Sequence, residues 1–286
     1  MRNLLLFLFL AGIVSGCQDF GKLKIVASLP ASLEEISGIE KIAQSDLIWA
    51  VSDSNNSATL YGFNPVTQNT EEAINLHGIA NVDWEDMAAD DKGNLYIGDF
   101  GNNKNKRKQL AIYKVPAVTK NTKQRTVYTT TFEYEDQIQF PPDKKQRNFD
   151  VESFIYLNNY FYLFTRNRSS HFDGTVKLYK IPATPGHHTA QMMGSFTPCD
   201  DKRTCQVTGA TINFKTGMVV LLSNSKIWML SDYKNDNFFN GSIKEIELGH
   251  HSQKESVCFK NNNTLYIADE QNGILGGNVY EFQLNK

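Results

Sequence analysis

The stretch "NVDWEDMAADDKGNLYIGDFGNN", residues 81–103, carries two short apolar runs around the polar turn "DDKGN". Asp83, Glu85 and Asp86 crowd the start of the first run, and Asp99, Asn102 and Asn103 crowd the end of the second. The runs are the length of strands, and the turn between them has Asp, Gly and Asn where a tight reversal needs them. A hairpin of this kind puts both polar clusters at the same end of a sheet.

The same plan recurs along the chain. A first strand reads "EISGI", "EDMAA", "ESFIY", "TGATI" and "ESVCF" in five places. A very apolar second strand follows as "LIWAVSDS", "LYIGDFGN", "FYLFTRNR", "VVLLSNSK" and "LYIADEQN". A third is centred on an aromatic residue in "ATLYGFNP", "LAIYKVPA", "VKLYKIPA", "SKIWMLSD" and "GNVYEFQL". The aromatics are Tyr61, Tyr113, Tyr179, Trp228 and Tyr280, at intervals of 52, 66, 49 and 52 residues. Four copies are followed by a candidate fourth strand, "EEAINLHG", "VYTTTFEYED", "HTAQMMGSF" or "SIKEIELGH". The last copy has none, and "LKIVASLP" (residues 23–30) stands unpaired before the first. Repeats near 50 residues with four strands each predict an all-β, five-bladed β-propeller whose N-terminal strand completes the last blade. Closure of that kind removes the exposed sheet edges. The alternatives are a sixth, degenerate blade within residues 118–150 and a β-sandwich with accidental internal similarity.

The ends frame one domain. "MRNLLLFLFLAGIVSGC" has one basic residue, an apolar run, and small residues before Cys17. It reads as a signal peptide over residues 1–16, with "VSGC" as a lipobox that makes Cys17 the lipidated first residue of the mature chain. Residues 17–22 then form a tether and 23–286 a single domain. The expected location is a bacterial cell envelope, with the lipid at Cys17 as the contact to the membrane. Removing the leader leaves 28 basic against 31 acidic side chains, which argues against nucleic acid as a partner. The expected state is a monomer. Cys199 and Cys205, in the polar loop "PCDDKRTC", are expected to form a disulfide in that compartment. Cys258 lies in an apolar run and reads as a buried free thiol.

Aligning the first and second strands brings Glu35 with Asp53, Glu85 with Asp99, Glu152 with Arg166, Thr208 with Asn224, and Glu255 with Asp269 to one face near the axis. The separations are 18, 14, 14, 16 and 14 residues. So many carboxylates repel one another unless a cation neutralises them, and oxygen-only ligands suit Ca²⁺ or Mg²⁺. The expected metal ligands are Glu35, Glu85, Glu152 and Glu255, with Ca²⁺ first. Polar residues at strand ends also cap hydrogen bonds with no ligand at all. Asp53, Asp99, Asn102, Asn103, Arg107, Asn224 and Asp269 are candidates for binding a small polar or anionic ligand, and a protein partner is the other possibility. For hydrolysis, Glu85 or Glu152 would activate water and Arg166 would stabilise developing negative charge. No G-x-S-x-G elbow or Gly-rich phosphate loop accompanies them.

"DWEDMA", "GNLYIGDFGNN", the following Arg107 and "IYKV", then "FDVESF" and "VTGAT", together resemble uncharacterised bacterial propeller lipoproteins. More distantly they are similar to the SdiA-regulated family and the esterase-like phytase propellers. The resemblance covers most of residues 22–285. It marks Glu35, Asp53, Glu85, Asp99, Asn102, Asn103, Arg107, Glu152, Arg166, Glu255 and Asp269, and departs at Thr208, where the other copies have Glu. Propellers of this kind include calcium-dependent phosphatases, lactonases and pure binding proteins, so the resemblance implies either a binding protein or a metal-dependent hydrolase of a phosphate ester or lactone.

Overall fold

A computed structural model describes residues 19–117 and 126–284. Cys17, the expected lipidation site, and the leader lie outside the described residues. The chain is all-β. After an isolated β1 (Lys24–Ser28), the first meander consists of β2 (Ile36–Glu40), β3 (Ile48–Ser52), β4 (Thr59–Asn64) and β5 (Asn69–Asn75). The second is β6 (Trp84–Ala89), β7 (Leu95–Asp99), β8 (Leu110–Val115) and β9 (Tyr128–Tyr134). The third is β10 (Val151–Leu157), β11 (Tyr160–Thr165), β12 (Val176–Pro182) and β13 (Gly186–Phe196). The fourth is β14 (Val207–Ile212), β15 (Val219–Ser223), β16 (Lys226–Ser231) and β17 (Ser242–Glu247). The fifth has β18 (Lys254–Asn261), β19 (Thr264–Asp269) and β20 (Asn278–Gln283), and its fourth strand is β1, which pairs antiparallel with β20 from Lys24↔Glu281 to Ser28↔Asn278.

The first strands pack against one another in a closed cycle, β2–β6–β10–β14–β18 and back to β2. One buried cluster fills each gap of that cycle. Trp49 meets Trp84 and Ile97 between the first and second meanders, for example, and Cys258 and Tyr266 meet Ile36 and Ile48 between the fifth and the first. Sheets covered on both faces explain why second strands such as "VVLLS" are apolar throughout rather than alternating. The turn "DDKGN" is fixed at the far end, where Asp90 accepts from the amides of Lys92 and Asn94 and from Tyr96 Oη at 3.0, 2.9 and 3.0 Å.

Two features depart from a plain repeat. The second and third meanders are one eight-stranded sheet, because β9 pairs in parallel with the first half of β13, from Thr130↔Gly186 to Tyr134↔Ala190. The second half of β13 returns to β12. Of residues 118–150, the place of the alternative sixth blade, 118–125 lie outside the described residues and 126–150 hold β9 and one short 3₁₀ turn at Lys144–Gln146.

Asp86 pins the cycle from inside. Its buried carboxylate accepts from its neighbour's amide, Met87 N, at 2.8 Å and from Phe154 N of the next meander at 3.1 Å. Ser256 Oγ likewise accepts from Ile39 N at 2.6 Å, tying the fifth meander to the first.

Cys199 and Cys205 form a disulfide, and Cys258 is a buried free thiol. In the native protein, iodoacetamide should leave Cys258 unlabelled until denaturant is added, and non-reduced peptide mapping should recover the 199–205 link. The closed loop is short, so reduction should cost less than the ~3 kcal/mol expected of a 15-residue loop. Rapid native labelling of Cys258 would contradict the packing described.

Candidate functional site: a ring of bulged residues at the axial mouth

Each first strand is interrupted at one level by a β-bulge. The register shifts fall between Ile36 and Gly38, Trp84 and Asp86, Val151 and Ser153, Val207 and Gly209, and Lys254 and Ser256. The extra residues are therefore Ser37, Glu85, Glu152, Thr208 and Glu255. A bulge turns its side chain out of the regular pleat. Ser37, Glu85, Glu152 and Glu255 line one cavity of about 160 Å³, together with Asp53, Asn103, Arg166, Arg168, Gln253 and Glu270. Thr208 is spent on a hydrogen bond to Lys254 O at 2.5 Å.

This register corrects the alignment drawn from spacing. The partner of Glu85 in the first meander is Ser37, and Glu35 belongs to the row of Asp83, Asp150 and Gln253. Glu35 is exposed, and its Oε2 accepts from Asn56 Nδ2 at 2.7 Å. Asp99 and Asp269 turn into their own meanders instead of the mouth. Asp99 accepts from Tyr113 Oη at 3.2 Å and pairs with Arg107 at 2.7 Å. Asp269 accepts from Tyr280 Oη and Asn278 N at 2.8 and 2.9 Å. These carboxylates hold the second strand to the aromatic of the third. Arg107 also donates to the carbonyls of Gly101 and Asp99. Asn102 is buried and accepts from Arg107 N at 2.9 Å. Neither residue lines the cavity, and neither does Asn224, whose carbonyl accepts from Lys254 Nζ at 3.0 Å. Asp53, Asn103, Glu85, Glu152, Arg166 and Glu255 are brought together as expected.

Spacing alone missed Asp83, Asp150, Glu270 and Ser37 as site residues. Asp150 stands two residues before Glu152, as Asp83 does before Glu85, and that repeated pair was the available signal. Glu270 directly follows Asp269.

The charges divide into two halves. On one side Arg166 Nη1 lies 3.0 Å from Glu152 and 3.7 Å from Glu255, and Arg168 pairs with Asp150 and Glu152 at 2.5 Å each. Burial pushes the Glu152 carboxyl up, but the two guanidiniums outweigh it and hold it below its usual range. On the other side Asp53, Asp83 and Glu85 bring carboxylate oxygens within 4.8 Å of one another. Among the described residues no ion pair reaches any of the three. Gly101 is what lets them close up, since a Cβ there would sit 2.0 Å from Glu85 Oε1. Burial, reinforced by neighbouring carboxylates, raises Asp83 to about 6 and Glu85 well above the ordinary range. Burial first, and carboxylate neighbours next, likewise raise Glu270 to about 7, and burial raises Glu255 to about 8 against the pull of Arg166. Ser37 Oγ, in a residue 2 % exposed, has no hydrogen-bond partner although it borders the same cavity.

No protein-family model matches the chain, and no curated protein matches it. Solved structures do. The PQQ-bound form of an aldose sugar dehydrogenase from Streptomyces coelicolor superposes with a TM-score of 0.50 at 11% identity, covering 92% of this chain and 98% of that one. A luciferin-regenerating enzyme gives 0.48 at 12% identity, with 92% and 96% covered. A chain of a nidogen/laminin complex gives 0.46 at 12%, with 82% and 72% covered. The first of these supports the propeller-type fold.

The raised carboxyls set a pH dependence. Between about pH 4 and their folded values they keep protons that the unfolded chain has released, so this contribution to stability is complete below about pH 4. It is lost as pH rises through about 6 to 8, the values of Asp83, Glu270 and Glu255. In chelator, the melting temperature should therefore fall between about pH 5 and pH 8, and Asp83→Asn should flatten the fall. A flat or rising profile in the unsubstituted protein would refute the uncompensated charge.

Proposed function

We propose that the chain is a five-bladed propeller, each meander a blade, whose axial mouth binds one divalent cation through Asp53, Asp83 and Glu85. The cation presents itself to a small polar or anionic ligand, with Arg166 and Asn103 as the neighbouring contacts. The propeller is monomeric and is held at a bacterial cell envelope by lipid on Cys17, a reading that rests on the leader and the lipobox. The observation that carries the site is the trio of carboxylates within 4.8 Å of one another, set beside a pair of arginines already committed to Glu152 and Asp150. Two oxygens on one Ca²⁺ lie no farther apart than twice a ligand distance of about 2.3–2.6 Å, so the trio can share an ion without rebuilding the backbone. The orphaned Ser37 Oγ supplies a further oxygen on the same cavity. This set replaces Glu35, Glu152 and Glu255 as ligands, because Glu35 faces solvent and the other two face Arg166. When bound, the ion would neutralise the trio and polarise an oxygen of the ligand.

Thermal melting in calcium and in chelator tests the site. Calcium at 100 times its dissociation constant should add ~2.7 kcal/mol of stability. Glu85→Gln and Asp83→Asn should each remove most of that gain. Equal melting temperatures in calcium, magnesium and chelator would refute the cation reading.

A metal-assisted hydrolase is the second reading. Glu270 favours it: this carboxyl sits on the cavity wall with its value pushed up to about 7, where a general acid or base works near neutrality. Glu152 is a poorer base than its position in the sequence implied, because two guanidiniums hold its charge. Purified protein assayed with phosphomonoesters, phytate, carboxylic esters and lactones should show turnover that needs calcium and falls at least ~100-fold in Glu270→Gln if general acid–base catalysis operates there. Calcium binding with no turnover on any of these would leave the binding protein as the function.

A further inference from the structure

The chain is bonded to the body of the fold almost from its first described residue. Asp19 Oδ1 accepts from Gly21 N at 2.9 Å, and Lys22 N donates to Leu248 O at 2.8 Å. Gly21 has a φ of +60°, and a Cβ there would lie 2.4 Å from Leu248 O. The Phe20 ring lies 5.1 Å from that of His250 and 5.8 Å from that of Tyr280. It thus packs where the fourth meander passes into the fifth. Cys17 precedes Asp19 by two residues. A chain advances at most ~3.6 Å per residue, so a lipid on Cys17 is tied within ~7 Å of Asp19 along the backbone.

That end of the chain lies at the mouth face. His250 lines a concavity of about 330 Å³ with Leu275 and Gly276, and two further lining residues, Gln253 and Glu270, also border the axial cavity. Beside it the connection from β19 to β20 forms a knuckle. Asn272 N donates to Leu275 O at 2.7 Å and Leu275 N donates to Asn272 O at 3.1 Å, with Gly273 between them at a φ of +63°. The base is fixed, because Gln271 N donates to Glu34 O and Asn272 Nδ2 to Gln253 Oε1, each at 2.8 Å. The tip carries Ile274, 99 % exposed, and Leu275, 56 % exposed. The polar residues of the knuckle are bonded to the body, and its two apolar side chains are held out in solvent.

We propose that the mouth face lies against the bilayer that holds the Cys17 lipid, with Ile274 and Leu275 entering the boundary between headgroups and acyl chains. The inference rests on the lipid anchor of the proposed function and not on the cation. Apolar side chains presented at a membrane surface gain by leaving water at that depth. The leash also selects the face. At ~7 Å it is shorter than the ~17–20 Å of a typical strand, so it does not reach round to the turns at the far ends of the meanders. One of those turns, between β4 and β5, carries Val66, which is 88 % exposed. The axial mouth then opens on the headgroup layer.

The mature protein, purified from membranes and reconstituted into vesicles of phosphatidylethanolamine and phosphatidylglycerol, tests the orientation. Cys199 and Cys205 are paired and Cys258 is buried, so Ile274→Cys or Val66→Cys offers a single thiol to an environment-sensitive fluorophore. The label at 274 should shift to the blue in vesicles and be quenched by lipids brominated in the acyl chains. The label at 66 should do neither. Leu275→Asp should reduce the quenching at 274. Quenching at 274 no greater than at 66 would overturn the inference, as would quenching at 274 unmoved by Leu275→Asp. A label at 274 shielded equally in detergent and in vesicles, and unquenched by brominated chains, would overturn it in favour of a second copy of the chain on the knuckle. Intact-mass measurement of the same sample separates the two readings. A Cys17 without lipid removes the anchor and this orientation with it, whereas a lipidated Cys17 with a solvent-like label at 274 overturns the orientation alone.

Discussion

The mouth exists because each first strand contains one residue more than its partner strand can pair. In a regular sheet, alternate side chains would all pack between neighbouring meanders, and the space around the axis would be closed by backbone. The bulges at Ser37, Glu85, Glu152, Thr208 and Glu255 interrupt that alternation at one level of every strand. Extra residues released from pairing can then be polar without unbalancing the apolar clusters on either side. The clusters themselves are held at a fixed distance by bonds such as Asp86 to Phe154 N and Ser256 to Ile39 N. The positions of Ser37, Glu85, Glu152 and Glu255 at the mouth follow from those two facts.

Electrostatics then divides the ring unevenly. Five carboxylates and two guanidiniums border the cavity, and the guanidiniums both belong to the third meander, just beyond the end of its second strand at Thr165. They are close enough to serve Glu152, Asp150 and Glu255, and too far to serve Asp53, Asp83 and Glu85. A symmetric distribution of the same charges would leave every carboxylate half compensated. The asymmetry instead holds Glu152 ionised between two guanidiniums, while burial keeps protons on Glu85 and Glu255. A ligand entering the mouth meets two guanidiniums paired with carboxylates on one side and a trio of carboxyl groups on the other.

The repeat was legible because the constraint behind it is local. Buried second strands need continuous apolar runs, and third strands need a large aromatic to fill the gap to the next meander, so "LYIGD" and "LAIYKV" mark their places wherever they occur. The closing strand was legible from an unpaired "LKIVAS" at one end and a missing strand at the other. The row of residues at the mouth was read one step wrong. A glutamate at the head of "EISGI" matches "EDMAA" by eye, yet the bulge equates Ser37 with Glu85 and leaves Glu35 in solvent. Asp99 and Asp269 were read as mouth residues because they end apolar strands, while the hydroxyls of Tyr113 and Tyr280, a strand away, draw them inward. A bulge adds one residue without changing composition, and a cross-strand hydrogen bond leaves no trace in spacing. Both are set by tertiary pairing, which a linear pattern does not contain.

The shared strand β13 has a consequence for how the molecule comes apart. Its first half completes the second meander and its second half completes the third, so neither unit can lose its outer strand while the other keeps it whole. In hydrogen-exchange terms the two should behave as one foldon, with the amides of β9 and β13 protected together. The first, fourth and fifth meanders end instead in β5, β17 and β1, each bonded on one side only, so these strands should exchange before β9 and β13. The join at β13 thus makes a seam of cooperative opening that the repeat in the sequence would not suggest.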